Sequence, residues 1–244
     1  MDFVHIEEAF PSPATAFAVA RDLVAAELDV LGTFVLPPAD GAPTRDFQTL
    51  HVDFGVPLDP RVRAPVAFAT ALHVPLAQPE AGAATRLVPL AELLAQRAWA
   101  PREELRRRWA RYGVTHGAWP GADGYVEGSL ARIVEASADV PPALPSVKAH
   151  PDFRCGLEFA GLAEELAFFA RHGLAVEQVE VEVVVRPGEL LVFDNLAFAH
   201  GRRGVRQPGE LHQRVFGRIL SPPAQESVRE RLLDGFARPS AVAV

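Results

Sequence analysis

Residues 47–55 read FQTLHVDFG, and this stretch decides how the rest of the chain is interpreted. Apolar and β-branched residues surround its polar residues, and Gly55 and Pro57 close it, which predicts a short strand. Because side chains alternate along a strand, His51 and Asp53 share one face, with Cα atoms about 7 Å apart. An imidazole and a carboxylate on one rigid face are two of the three ligands of the 2-His-1-carboxylate triad that holds non-haem Fe(II). A triad requires a second histidine from elsewhere in the chain.

The composition is that of an ordinary globular protein. The chain has 244 residues, of which 49% are hydrophobic and 23% are charged, so we expect one domain over residues 1–244. A net charge of −7 argues against a nucleic-acid partner. The single cysteine, Cys155, excludes an intrachain disulfide framework and a cysteine-based zinc site.

The expected location is the cytoplasm, without membrane contact. The first residues lack the basic region and apolar run of a signal peptide. No apolar stretch reaches the roughly 18 residues that span a bilayer. The sequence leaves the oligomeric state open, and the expected partner is a small-molecule substrate.

The hydrophobic pattern predicts a mainly antiparallel β domain with a few flanking helices. Residues 91–173 are expected to include a helical and loop insertion that covers the site, with 113–160 as loops and short strands. Alternation over 176–193 sets Val179, Val181 and Val183 on one strand face and Glu180 and Glu182 on the other, exposed face. The predicted helices are 12–30, 91–97, 101–112 and 161–172. The remaining predicted strands are 33–36, 65–74, 85–90, 190–193 and 210–220.

His200 is the candidate second histidine. It lies just past the buried strand at 190–193, within the stretch DNLAFAHGR at 194–202. Arg214 follows on the next predicted strand, where alternation puts Arg214 and Arg218 on one face. A buried arginine is costly unless an anion meets it, which makes Arg214 a plausible bidentate anchor for a dicarboxylate co-substrate.

Two other motifs compete with His51 and Asp53. In His150-Pro151-Asp152 the proline removes a ladder donor and favours an edge or turn. His5-Ile6-Glu7 lies near the terminus, where an outer strand is expected. We therefore prefer His51 and Asp53.

The remaining arginines have a functional and a structural interpretation. The basic helix at 101–112 is either a surface for anionic ligands or, as we favour, a solvated helix whose early glutamates pair with later arginines. Arg202, Arg203 and Arg206 are expected to be solvated in a loop. Arg218 is a candidate for binding the co-substrate or an anionic group of the substrate, with a structural ion pair as the alternative.

These motifs together resemble the Fe(II)/2-oxoglutarate-dependent dioxygenases. The order His51, Asp53, His200 and Arg214 is that of the superfamily. The stretch PGELLVFDN at 187–195, followed by HGR at 200–202, is similar to the taurine-dioxygenase and clavaminate-synthase branch. The stretch GAATR at 82–86 resembles the segment where that branch sets a threonine, here Thr85, against the 2-oxoglutarate carboxylate.

The resemblance implies a double-stranded β-helix, or jelly roll. It implies that His51, Asp53 and His200 hold Fe(II), and that Arg214 and Thr85 meet the far carboxylate of 2-oxoglutarate. With O2, 2-oxoglutarate would be decarboxylated to succinate and CO2 while a small molecule, such as an amino acid or biosynthetic intermediate, is hydroxylated, desaturated or cyclised.

Two other functions share the same scaffold. One is a jelly-roll binding protein without turnover. The other is a cupin-type metalloenzyme that does not use 2-oxoglutarate. The second is disfavoured because the sequence has no H-x-H pair and because Arg214 would lack an anionic partner.

Overall fold

The computed structural model describes residues 3–24, 30–35, 47–52, 66–74, 83–112, 117–118, 126–138, 159–195, 197–204, 213–219 and 233–236. The strands are β1 Phe3–Ile6, β2 Val30–Val35, β3 Phe47–Val52, β4 Val66–His73, β5 Ala84–Pro89, β6 Gly117–Ala118, β7 Val126–Ser129, β8 Val181–Val183, β9 Leu190–Asp194, β10 Phe198–Arg203 and β11 Gln213–Ile219. The helices are α1 Pro13–Val24, α2 Leu90–Leu94, α3 Arg102–Tyr112, α4 Leu130–Ser137 and α5 Leu162–Arg171.

The strands form two antiparallel sheets. One has the order β1-β9-β4-β11-β2, and the other has the order β6-β7-β3-β10-β5-β8. Among the described strands no pairing joins the two sheets, so they are not closed on each other. The prediction of a mainly antiparallel β fold with flanking helices is confirmed.

Helices pack on the outer side of strands in both sheets, so some strands are buried on both faces. Strand β9 shows this best. Leu191 and Phe193 pack in the cluster between the sheets, whereas Leu190 and Val192 pack beneath α1 with Phe17. A continuous apolar run is the pattern expected for a strand buried on both faces, as predicted for 190–193.

Strand β3 is also buried on both faces. Leu50 and Val52 lie in a cluster with Phe168 and Phe169 of α5, and with side chains of α4. Because side chains alternate, His51 lies on the opposite face, toward the other sheet. Helices α4 and α5 therefore cover the back of the strand that carries the predicted metal ligand.

Two predicted elements were wrong in extent or type. The helix predicted over 12–30 is described over Pro13–Val24, residues 25–29 lie outside the described residues, and Val30 already belongs to β2. Residues 113–160 were interpreted as loops and short strands, yet they contain α4. This helix has eight residues, and its apolar positions Leu130, Ile133 and Val134 follow the i, i+3, i+4 spacing of a buried helical face.

The alternation predicted for Val179 to Val183 was also wrong. Residues 176–178 form a 3-10 turn, and β8 has only three residues. Val181 is 39% exposed. Glu180, expected on the exposed face, is buried in an ion pair with Arg86. The attraction of this buried arginine outweighs the strand alternation that would turn the Glu180 side chain toward solvent.

The arginines near the C-terminal end of β10 are not in a loop. Arg202 and Arg203 belong to the strand and are half-buried, and Arg203 pairs with Glu180 and Glu182. Arg206 lies outside the described residues.

Helix α3 is a solvated helix of internal ion pairs, as favoured. Arg106 pairs with Glu103, and Arg107 with Glu104, one turn earlier. Of the helices in the described part of the chain, none is long and apolar enough to cross a membrane.

One buried histidine lies apart from the predicted site. His73 at the end of β4 is fully buried and packs edge-to-face on Phe17. Among the described residues neither of its ring nitrogens has a hydrogen-bond partner, and burial lowers the pKa of His73.

This histidine predicts a loss of stability in acid. Because the pKa of His73 is lower in the folded chain, the unfolded chain binds more protons below about pH 6.5. The free energy of unfolding therefore decreases as the pH is lowered, by at most about 1.4 kcal/mol per pH unit. His73→Leu should remove this contribution, which denaturant unfolding of both proteins between about pH 5 and 7 would measure. Equal pH dependence in the two proteins would contradict the prediction.

Candidate metal centre

The structure brings two of the predicted ligands together. His51 on β3 lies directly opposite His200 on β10 in the antiparallel ladder. Their ring centroids are 4.2 Å apart with the planes inclined by 51°, and each residue is only 2% exposed. Neighbouring strands thus hold two buried imidazoles side by side.

The pair lies between the two sheets. Phe193, on β9 of the other sheet, approaches the His200 ring with a centroid distance of 4.9 Å. Leu87, the register partner of His200 on β5, belongs to the same inter-sheet cluster as Phe193. Apolar side chains therefore lie beside the His51–His200 pair.

The orientation of the His51 ring is set by its own strand. Its Nδ1 lies 2.8 Å from the backbone oxygen of Thr49. A carbonyl can only accept a hydrogen bond, so Nδ1 carries the proton and donates. In the neutral ring the lone pair is then on Nε2, which is the usual arrangement of a metal-binding histidine.

The donor set fits a divalent transition metal as far as it is described. Two imidazoles on adjacent strands could supply two neighbouring ligands of such a metal. Asp53, the predicted carboxylate ligand, follows His51 by two residues and lies outside the described residues. Within the described ranges no group of three or more His, Cys, Asp or Glu side chains could hold a metal ion. The structure thus brings His51 and His200 together, and their role as metal ligands stays a prediction.

The close approach of β3 and β10 depends on Gly201. His200 pairs with His51, and Arg202, two residues later, pairs with Gln48. The single residue Gly201 therefore lies opposite two residues of β3, Thr49 and Leu50. This arrangement is a β-bulge in β3. A methyl group on Gly201 would lie 2.5 Å from the backbone oxygen of Gln48. Only glycine fits beside His200 without moving a strand.

The predicted co-substrate residues lie on both sheets. Thr85 on β5 is half-buried and pairs with Arg202, two residues along the strand from Leu87. Arg214 on β11 has the register position opposite Leu72 of β4, which packs in the same inter-sheet cluster as Leu87. A register shift after Gly217 puts Arg218 opposite Ala67.

Of the two rival motifs, only the one at His5 lies within the described residues. His5 lies on the edge strand β1 of the other sheet, and its Nε2 is 2.9 Å from Glu189 Oε2. His150 and Asp152 lie outside the described residues.

A buried ionic network behind the histidines was not anticipated. Arg86 on β5 is fully buried, and its Nη1 donates to Glu165 Oε2 at 2.6 Å. Its Nε and Nη2 donate to the two oxygens of Glu180 at 3.0 and 2.8 Å. The one sequence signal was Glu165 itself, a charge within the apolar face formed by Leu162, Leu166 and Phe169 of α5.

The pKa values of Glu165 and Arg86 are both shifted in this network. Burial raises the pKa of the Glu165 carboxyl, although Arg86 and the Leu50 N–H act in the opposite direction. Burial alone would lower the pKa of Arg86, and its bonds to Glu180 and Glu165 raise it above the ordinary value. Arg86 is accordingly a permanent cation beneath helix α5.

Comparison with known proteins finds likeness only among solved structures. No family model matches the chain, and no curated protein sequence matches it. PvcB of Pseudomonas aeruginosa, an Fe, alpha-ketoglutarate dependent oxygenase from an isonitrile synthetic pathway, is 18% identical, with 91% of this chain and 76% of that chain covered and a TM-score of 0.46. A taurine dioxygenase from Burkholderia xenovorans is 15% identical, with 88% and 76% covered and a TM-score of 0.43.

Both structures are of the class that the sequence motifs resemble. Their TM-scores lie below 0.5, so the likeness carries no argument about the reaction of this chain. The case for a function rests on the residues themselves.

The β-bulge opposite Gly201 predicts that one methyl group added at this residue destabilises the protein. Gly201→Ala should lower the free energy of unfolding by about 1–3 kcal/mol, because the new Cβ collides with the backbone of β3. Gly161→Ala is the matched control, since a Cβ there meets nothing within 4 Å and loss of a glycine N-cap costs less than about 1 kcal/mol. Urea unfolding measures both, and equal losses would contradict the account of the bulge.

Proposed function

We propose that this chain is a mononuclear non-haem Fe(II)/2-oxoglutarate-dependent oxygenase that hydroxylates, desaturates or cyclises a small molecule. The observation that carries the proposal is the buried His51–His200 pair in direct register on neighbouring strands. A chance pair of histidines would not be expected to combine this burial, this register and an H-x-D motif. We further propose that the two sheets form a jelly roll around the pair.

His51, His200 and Asp53 would hold the iron. When bound, the iron with 2-oxoglutarate and O2 supplies the oxidation of a substrate C–H bond. These three ligands would leave positions on the iron open for co-substrate and O2. The protein's own contribution is to fix the two imidazoles and to keep their surroundings apolar, with Phe193 beside His200.

Arg214 and Thr85 would bind the far carboxylate of 2-oxoglutarate, with Arg218 as a further candidate. The strand register supports a position of Arg214 near the metal ligands. Leu72 lies opposite Arg214 and Leu87 lies opposite His200, and these two leucines belong to one buried cluster. A guanidinium is suited to a carboxylate, since it donates two parallel hydrogen bonds.

The first test is the chelate of metal and co-substrate. Anaerobic protein with Fe(II) and 2-oxoglutarate should show the weak visible charge-transfer band of the bidentate complex, and His51→Ala or His200→Ala should abolish it. His5→Ala and His150→Ala, at the rival motifs, should leave the band unchanged. Folded, iron-loaded protein without the band would contradict the proposal and favour a cupin-type metalloenzyme, whereas absence of iron binding would favour a binding protein.

The second test separates co-substrate binding from metal binding. Arg214→Ala should raise the 2-oxoglutarate concentration needed for half-maximal succinate formation, by about 10-fold or more for loss of a charged hydrogen bond, and leave Fe(II) affinity unchanged. Arg186→Ala, an exposed arginine in the turn before β9, is the control. An unaltered 2-oxoglutarate requirement in Arg214→Ala would remove this residue from the site.

A further inference from the structure

The bulge in β3 leaves two backbone groups beside His51 that bond to side chains. The Leu50 N–H donates to Glu165 Oε1 at 2.7 Å. The Thr49 oxygen accepts from His51 Nδ1 at 2.8 Å. An extra residue disrupts the local ladder, so a buried carboxylate and an imidazole take the place of regular strand partners.

Glu165 accepts hydrogen bonds from β3, at the bulge, and from β5. It projects from α5, and its second oxygen accepts from Arg86. Arg86 is the register partner of Gly201, the residue that faces the bulge from β10. Glu180 fixes Arg86 through two further hydrogen bonds. A continuous hydrogen-bonded chain thus runs from Glu180 through Arg86 and Glu165 to the backbone that bears His51.

Packing alone does not explain this network. The side chains of Arg86 and Glu165 are both 0% exposed, and transferring each ion from water costs several kcal/mol. Leucine at position 165 would complete the apolar face of α5 formed by Leu162, Leu166 and Phe169. Apolar residues often replace buried ion pairs without loss of stability, so the network is better explained by the geometry that it imposes.

We infer that Glu165, fixed by Arg86, is a positioning residue for the His51 imidazole, an inference that rests on the proposed function. The carboxylate holds the Leu50 amide and thereby keeps the Thr49 oxygen in place as the acceptor for Nδ1. This holds the ring in one tautomer and one orientation, with Nε2 available to iron. Outer partners of this kind orient the ligands of other metalloproteins.

The test compares two buried glutamates. Glu165→Leu fills the same space and leaves Arg86 paired with Glu180, but it removes the acceptor of the Leu50 amide. Anaerobic calorimetry with Fe(II) should show about 10–100-fold weaker binding. In the metal-free protein, ring ¹⁵N shifts should change His51 from a single Nδ1-protonated tautomer to a mixture of tautomers.

Glu189→Leu is the matched control, because Glu189 is also buried and accepts a backbone amide, that of Arg186, in the other sheet region. It should change neither Fe(II) affinity nor the His51 tautomer. If Glu165→Leu does not fold, Arg86→Met with Glu165→Leu replaces both charges by apolar groups, and the same two results are expected.

The outcomes separate this inference from the proposed function. Wild-type affinity and an unchanged tautomer in Glu165→Leu would overturn the positioning role, even if the wild type binds iron. A wild type that binds no Fe(II) would overturn the proposed function instead, and the His51 tautomer would still decide whether Glu165 orients the ring.

Discussion

His51 pairs with His200 across two adjacent strands, and the packing around β3 and β10 is arranged about this pair. Their rings lie 4.2 Å apart only because β10 approaches β3 at Gly201, where a side chain would meet the Gln48 backbone. Burial of both strands fixes the approach from either side. Helices cover the back of β3, and Phe193 of the opposite sheet packs on His200.

The close approach of β10 to β3 leaves backbone polar groups of β3 without ladder partners, and charged side chains are buried beside them. A bulge in β3 takes backbone groups out of the regular ladder beside a buried histidine, and unpaired polar groups there would cost about 1–3 kcal/mol each. Glu165 accepts from one of them, the Leu50 N–H, and its second oxygen forms a buried ion pair with Arg86. The apolar core and the polar network are therefore parts of one arrangement, since each keeps His51 in place.

Elements marked by a local sequence pattern could be predicted from the sequence. Contacts between side chains far apart in the chain, with no motif to mark them, could not. Strand β9 reads as a continuous apolar run, and the order of His51, Asp53 and His200 predicted which histidines meet. The partner of Leu50 lies 115 residues away on α5, and no local pattern encodes it. Glu180 was assigned to an exposed face by alternation, which fails where a buried arginine is the partner.

We propose that His51 and His200 are both ligands of one iron, which X-ray absorption spectroscopy at the iron edge of the anaerobic Fe(II) protein can measure. We expect outer-shell scattering from two imidazoles in the wild type, with ligand distances of about 2.0–2.2 Å as nitrogen and oxygen donors give at zinc. We expect scattering from one imidazole in His200→Ala. Scattering from fewer than two imidazoles in the wild type, or an unchanged spectrum in His200→Ala, would contradict it.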